Sequence, residues 1–230
     1  MDTDNGLLAL LDDRAATYGL LARLLGLEVD AALLAALADG GFAIDTGSAA
    51  VDEGARLMGG YLQTAARADA DAARTELAVD FARLFVVRTR NAAGLPYPFE
   101  SVYTSDDGCT MGAARDEVRR IYREAGMAKD DAWNVGEDHV ALELEFAQTL
   151  AARTAQALRE GDEAAAEELL ARQAAFMDAH LLNWVPRFAD AMARTARTDF
   201  YRGLARFLAG WLQEDRATLA ELGAQGECRA

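Results

Sequence analysis

Glu100 sits inside an aromatic run, Tyr97-Pro98-Phe99-Glu100-Ser101-Val102-Tyr103, and a second acidic group, Glu137-Asp138-His139 with Glu143, follows later in the chain. A carboxylate beside aromatic rings suits a basic, partly apolar peptide. Rings supply buried area at little entropic cost and can face a guanidinium, and one carboxylate can accept two parallel hydrogen bonds from an arginine. The same residues admit a plainer role, in which Tyr97, Phe99 and Tyr103 plug the core beneath a long connection. His139 and Glu143 are four apart, so on a helix they share a face with Leu142, Phe146 and Leu150. They could equally be a histidine–carboxylate pair at the core edge, with Asp138 as the helix cap.

Other chemistries lack their residues. Di-iron bundles need Glu-x-x-His, but Gly136 stands three before His139 and Met177 three before His180. There is no His-Glu-x-x-His and no glycine-rich loop ending in Lys-Ser or Lys-Thr, and Lys129 is the only lysine. No catalytic residue, metal or cofactor is therefore expected. The rival is a helical metal-dependent oxidoreductase using His139, Glu143 and His180, for which the ligand spacings are missing. A helical regulatory or scaffold protein with an unrelated partner is a further alternative.

Formal net charge is -15, from 38 acidic against 23 basic residues, which argues against neutralising the phosphates of a nucleic acid. Such a surface favours basic partners or serves solubility alone. Cys109 and Cys228 form no disulfide framework or metal spacing. The start, MDTDNGLLALLDD, lacks the basic region of a secretory signal, and no apolar run approaches membrane-spanning length. The expectation is a cytoplasmic protein with no stable membrane insertion.

The elements that must position these residues are helices. Ala, Leu, Glu and Arg dominate and only three prolines occur. Apolar spacing predicts helices near Asn5–Gly26, Asp30–Ala38, Ser48–Ala68 (capped by Ser48), Asp71–Val87, Met111–Gly126, Asp138–Arg159, Asp162–His180, Pro186–Arg197 and Thr198–Leu222. Arg88–Thr110, with Gly94, Pro96, Pro98 and Gly108, reads as a long non-helical connection of functional character. Phe176, Trp184, Phe188, Phe200, Tyr201, Phe207 and Trp211 recur at helical intervals and read as core. No two-residue alternation is sustained, so the fold class is all-α, a single globular bundle-like domain of about eight to ten helices over 1–222 with a flexible tail at 223–230.

Taken in order, DFARLF, YPFESVY, GEDHVALELEFAQTL, HLLNWVPRF and FYRGLARFL resemble the TorD/DmsD/NarJ group of redox-enzyme maturation chaperones, from about Tyr18 to Leu212. The resemblance implies an all-α chaperone that binds the twin-arginine signal peptide of a molybdenum- or tungsten-cofactor oxidoreductase and holds the precursor until its cofactor is inserted. It aligns Pro98 to Tyr103 with the family's Pro-Tyr-Glu-Ser-Val-Tyr-like loop, and Asp138 and His139 with its Asp-His pair. Glu137 stands where the family often has proline, and Phe99 where it often has tyrosine. The expected site is one groove. In it Glu100, Glu137 and Asp138 attract the arginines, Tyr97, Phe99, Tyr103 and Trp133 contact the apolar part of the peptide, His139 orients Asp138 or the loop, and Pro98, Ser101 and Glu143 complete the surroundings.

Overall fold

A computed structural model describes residues 2–41, 46–86, 94–105, 108–110, 112–130 and 133–227, with side chains from 6 to 224. The expected helix end at Val87, the connection's first residues from Arg88, the helix start at Met111, and Cys228 lie outside these residues. The order is α1 (Asp2–Gly26), α2 (Ala31–Gly40), α3 (Ala49–Tyr61), α4 (Ala70–Phe81), α5 (Glu100–Thr104), α6 (Ala113–Glu124), α7 (Val140–Arg159), α8 (Glu163–Phe176), α9 (Val185–Thr195) and α10 (Asp199–Glu227). Single π-helical turns extend α3 (Leu62–Ala66), α4 (Ala82–Val86) and α8 (Met177–Leu181). Among the described residues the only extended pairing is an isolated antiparallel bridge between Phe99 and His139. The chain is all-α, as its composition requires.

Local capping sets the boundaries. Asp30, Asp69 and Asp162 accept the Leu33, Ala72 and Ala165 amides at 2.8, 2.9 and 3.0 Å, satisfying donors that a first helical turn leaves without partners. Ser48 holds the N-cap position of α3 without a side-chain cap bond. The last helix continues past the expected end at Leu222 to Glu227. The long connection also differs from expectation, since it contains α5. A five-residue helix has no stability of its own, and its N-terminus is completed by acceptors from a distant segment.

The helices sort into two compact units. The first comprises 1–26, 99–184 and 212–230; the second comprises 27–98 and 185–211. In the first, α7 packs against α1 and α8. It buries Val140, Leu144, Phe146, Leu150 and Ala155 around most of its circumference, so it serves as the central helix.

In the second unit, α3 and the start of α10 approach at backbone distance. A Cβ on Gly54 would lie 2.7 Å from the Gly203 carbonyl oxygen, and one on Gly203 would lie 2.6 Å from that of Gly54. Phe81, Phe85, Phe188, Phe200 and Tyr201 form its aromatic core. Phe207 and Trp211, expected in the core, are only half-buried and stack on each other with ring centroids 6.4 Å apart.

Candidate functional site

The two acidic stretches meet within the first unit. The Glu100 amide donates to the Asp138 carbonyl oxygen at 3.0 Å, and the Ser101 amide donates to Asp138 Oδ2 at 3.0 Å. Asp138 thus closes the N-terminus of α5 from another segment, where negative charge is favoured by the helix dipole. His139, rather than Asp138, caps α7, with Nδ1 accepting the Ala141 amide at 3.2 Å. The Ser101 hydroxyl accepts the Gly112 amide at 3.1 Å and so ties α5 to the start of α6.

The carboxylates do not form an exposed groove. Glu100, Asp138 and Glu143 are 2%, 0% and 0% exposed. Glu100 Oε2 faces His180 Nδ1 at 3.0 Å, and Oε1 accepts from Asn183 Nδ2 at 3.0 Å. Glu143 Oε2 accepts from the Trp184 indole at 3.0 Å. These contacts correct the expectation that Glu100 and Asp138 catch arginines directly, for both carboxylates are sealed from solvent, and both Glu100 oxygens and Asp138 Oδ2 fasten α5 to its neighbours. Burial is also why the pairing had to form, since an ionised carboxylate in an apolar interior is costly unless partnered.

Among the described residues Glu143 Oε1 and Asp138 Oδ1 accept no hydrogen bond, and the Glu143 carboxyl lies within hydrogen-bonding reach of Glu100. Burial and then the nearby Glu100 charge push the Glu143 carboxyl well above the ordinary range, with Asp138 adding to the effect and the Trp184 hydrogen bond opposing it. The same acids act on Tyr122 of α6, whose hydroxyl is raised by burial first and then by Glu143, Asp138 and Glu100.

The sequence brings His180 together with His139 and Glu143 only in the metal-dependent alternative, and it gives Asn183 no role at this site. They are presented by the π-helical turn Met177–Leu181 and the residues after it, where the Leu182 amide reaches back to the Met177 carbonyl oxygen at 2.8 Å. A π-turn shifts the helical register, as is frequent at functional positions. A further signal in the sequence is the scarcity of histidine, two in the whole chain, in a protein with many acids to neutralise.

Of the remaining expected residues in the first unit, Phe99, Tyr103, Trp133 and Glu137 are half-buried and so give the site its partly exposed aromatic rim. Phe99 and Trp133 flank His139, with ring centroids at 5.0 and 5.8 Å, both edge-on. Tyr103 lies against Trp184 at 5.3 Å. The Glu137 carboxylate is engaged by Arg115 at 2.6 Å and approached by Arg119 at 3.8 Å. Burial alone would raise Glu137, but the Arg115 hydrogen bond and both guanidinium charges hold it below its usual value. Glu137 therefore offers no uncommitted charge to a ligand. Tyr97, half-buried, and Pro98, buried, belong to the second unit, so the site is described from Phe99 onward.

Among the described residues there is no cluster of three or more His, Cys, Asp or Glu able to hold a metal, and no helix long and apolar enough to cross a membrane. Helices throughout, with a short helix fastened under an aromatic rim by buried acids, define an all-α protein whose site is built to fix a segment in place. Residues 48–190 match the nitrate reductase delta subunit family, and the chain belongs to that family. It is similar to the chaperone protein TorD of Photobacterium profundum, 33% identical over 147 residues, which cover 64% of this chain and 65% of that one. It is also similar to the chaperone protein TorD of Vibrio cholerae serotype O1 (strain ATCC 39541 / Classical Ogawa 395 / O395), 34% identical over 156 residues and 67% of each chain. The match to these relatives thus spans about two thirds of their length. The family resemblance carried by the five motifs is borne out.

Proposed function

We propose that this protein is a maturation chaperone, acting in the cytoplasm, that binds the twin-arginine signal peptide of a molybdenum-cofactor oxidoreductase and holds the precursor before export. It acts by binding and not by catalysis. The observation that carries this reading is the rim of Phe99, Trp133 and Tyr103 over the fastened α5, in a chain of net charge -15 whose relatives bear chaperone names. The rings give a cationic, partly apolar leader sequence a surface that loses little entropy on binding. The buried acids act one step back, by holding that surface in register.

The peptide orders as it binds, which consumes part of the interaction energy. A micromolar Kd, on the order of 8 kcal/mol, suits a partner that is later handed on. The test is calorimetric titration of the full chain with a twin-arginine leader peptide and with its double-lysine variant. Binding of the first with at least ten-fold weaker binding of the second is the expected result. Failure to bind either peptide rejects the proposal.

A further inference from the structure

A cavity of about 240 Å³ opens in the first unit beside the aromatic rim. Tyr122, Met127, Trp133, Leu142 and Phe146 form its apolar walls, and Glu145 of α7 stands at its edge. No basic side chain among the described residues pairs with Glu145, and its partial desolvation raises the carboxyl above the ordinary value of 4.5. Two other charges line the cavity, Asp130 and Lys129. The Lys129 ammonium is directed at the Trp133 carbonyl oxygen. Glu145 thus has no basic partner among the described residues, in contrast to Glu137, whose charge is already matched by Arg115 and Arg119.

Trp133 is seated rather than loose. Its ring lies against Gly26 at the end of α1, where a Cβ would come within 2.6 Å of Cη2, and it stands nearly perpendicular to the His139 ring with centroids 5.8 Å apart. We propose that this cavity is a guanidinium subsite. One arginine side chain of a client peptide lays its planar head on the Trp133 ring, its charge against Glu145 and its methylene stem along Met127 and Leu142. Arginine fits better than lysine here, because its head is planar, more weakly hydrated and able to stack while pairing with a carboxylate. The subsite deepens the signal-peptide reading and rests on it for the identity of the occupant, although the recognition chemistry is that of the cavity alone.

The test uses the full chain with two probes: the twin-arginine peptide, and N-acetyl-arginine amide at millimolar concentration. The readouts are calorimetry for the peptide and the Trp133 indole NMR signal for the fragment. The variants are Glu145→Gln, Trp133→Leu and Gly26→Ala, the last displacing the ring without removing a polar group. Each should bind the peptide at least ten-fold more weakly than the parent, and the fragment should shift the indole signal in the parent but not in Glu145→Gln. A peptide that binds parent and variants alike, with no fragment shift, overturns the subsite while leaving the chaperone reading intact. A fragment shift that depends on Glu145, in a protein that ignores the peptide, upholds the subsite and overturns the client. Silence from both probes overturns both.

Discussion

The Glu100 carboxylate and the His180 imidazole, 80 residues apart in sequence, meet at 3.0 Å with both side chains nearly sealed from solvent. With Glu100 ionised, the shared proton sits on Nδ1 and the other carboxylate oxygen takes the Asn183 amide. One contact therefore joins the YPFESVY stretch to the HLLNW stretch, while Asp138 joins the first of these to the start of α7.

Replacing Glu100 with Ala should leave the buried His180 imidazole without its carboxylate partner, while the Asn183 side chain keeps the Ala179 carbonyl oxygen as acceptor. The expected cost is about 1–3 kcal/mol, the range for leaving a buried hydrogen-bonding group unsatisfied, read by urea unfolding. Glu100→Gln, which keeps an acceptor for Asn183, should cost less. Hydrogen exchange should speed up first at α5. Equal stability of parent and Glu100→Ala would show that the pairing contributes nothing.

Glu143 predicts a pH dependence of stability. Its folded-state carboxyl is raised above the ordinary 4.5, so the folded chain holds this proton more tightly than the unfolded one. That contribution is fully present below about 4.5 and is lost as pH climbs through the folded value, with a slope of at most about 1.4 kcal/mol per pH unit. Glu143→Gln, neutral at every pH and still able to accept from the Trp184 indole, should flatten this slope and be at least as stable as the parent at pH 8. Thermal unfolding of both proteins from pH 4 to 9 decides it. Parallel curves would contradict the assignment.

Arg14 and Asp215 form a second sealed pair, with Arg14 Nη2 at 3.0 Å from Oδ2 and the Tyr18 hydroxyl donating to the same oxygen at 2.6 Å. Arg14→Met alone should cost about 3–5 kcal/mol, because it leaves a buried carboxylate with too few partners. Adding Asp215→Leu should recover much of the loss. Guanidinium unfolding of the two singles and the double completes the cycle. A purely additive double variant would refute the coupling.

Asp80 organises the second unit. Oδ2 accepts the Arg197 and Thr198 amides at 2.9 and 2.8 Å and the Thr198 hydroxyl at 2.9 Å, just ahead of α10, while Oδ1 pairs with Arg83. Asp80→Ala removes a cap and leaves buried donors unmatched, at about 2–4 kcal/mol. Thr198→Ala should cost about 1 kcal/mol, since the backbone donors keep their acceptor. Chemical unfolding of both variants ranks them, and a Thr198 variant as damaged as the Asp80 one would reverse the assignment.

Much of the fold was legible in the sequence. The helices of α1, α7 and α8 follow from apolar spacing, and Gly161 with Asp162 marks the α7–α8 junction where the structure places it. The proline- and glycine-containing connection is legible as unusual, but its short helix is not, because α5 depends on an acceptor from Asp138. The candidate site is legible as a set of segments, but the burial of its carboxylates is not. Nothing in the local pattern of Phe99-Glu100-Ser101 says whether the middle side chain faces water or His180.

The sequence by itself determined that this chain is helical, where most of its helices begin and end, and which family it belongs to, since propensity, capping and motif order are local properties. Only the tertiary structure decided that Arg14, Asp80, Glu100, Asp138, Glu143 and Asp215 lie inside, and which partners they take. The reason is physical: a charge can be buried only where another segment brings it a partner, and the meeting of distant segments is written in no single stretch of residues.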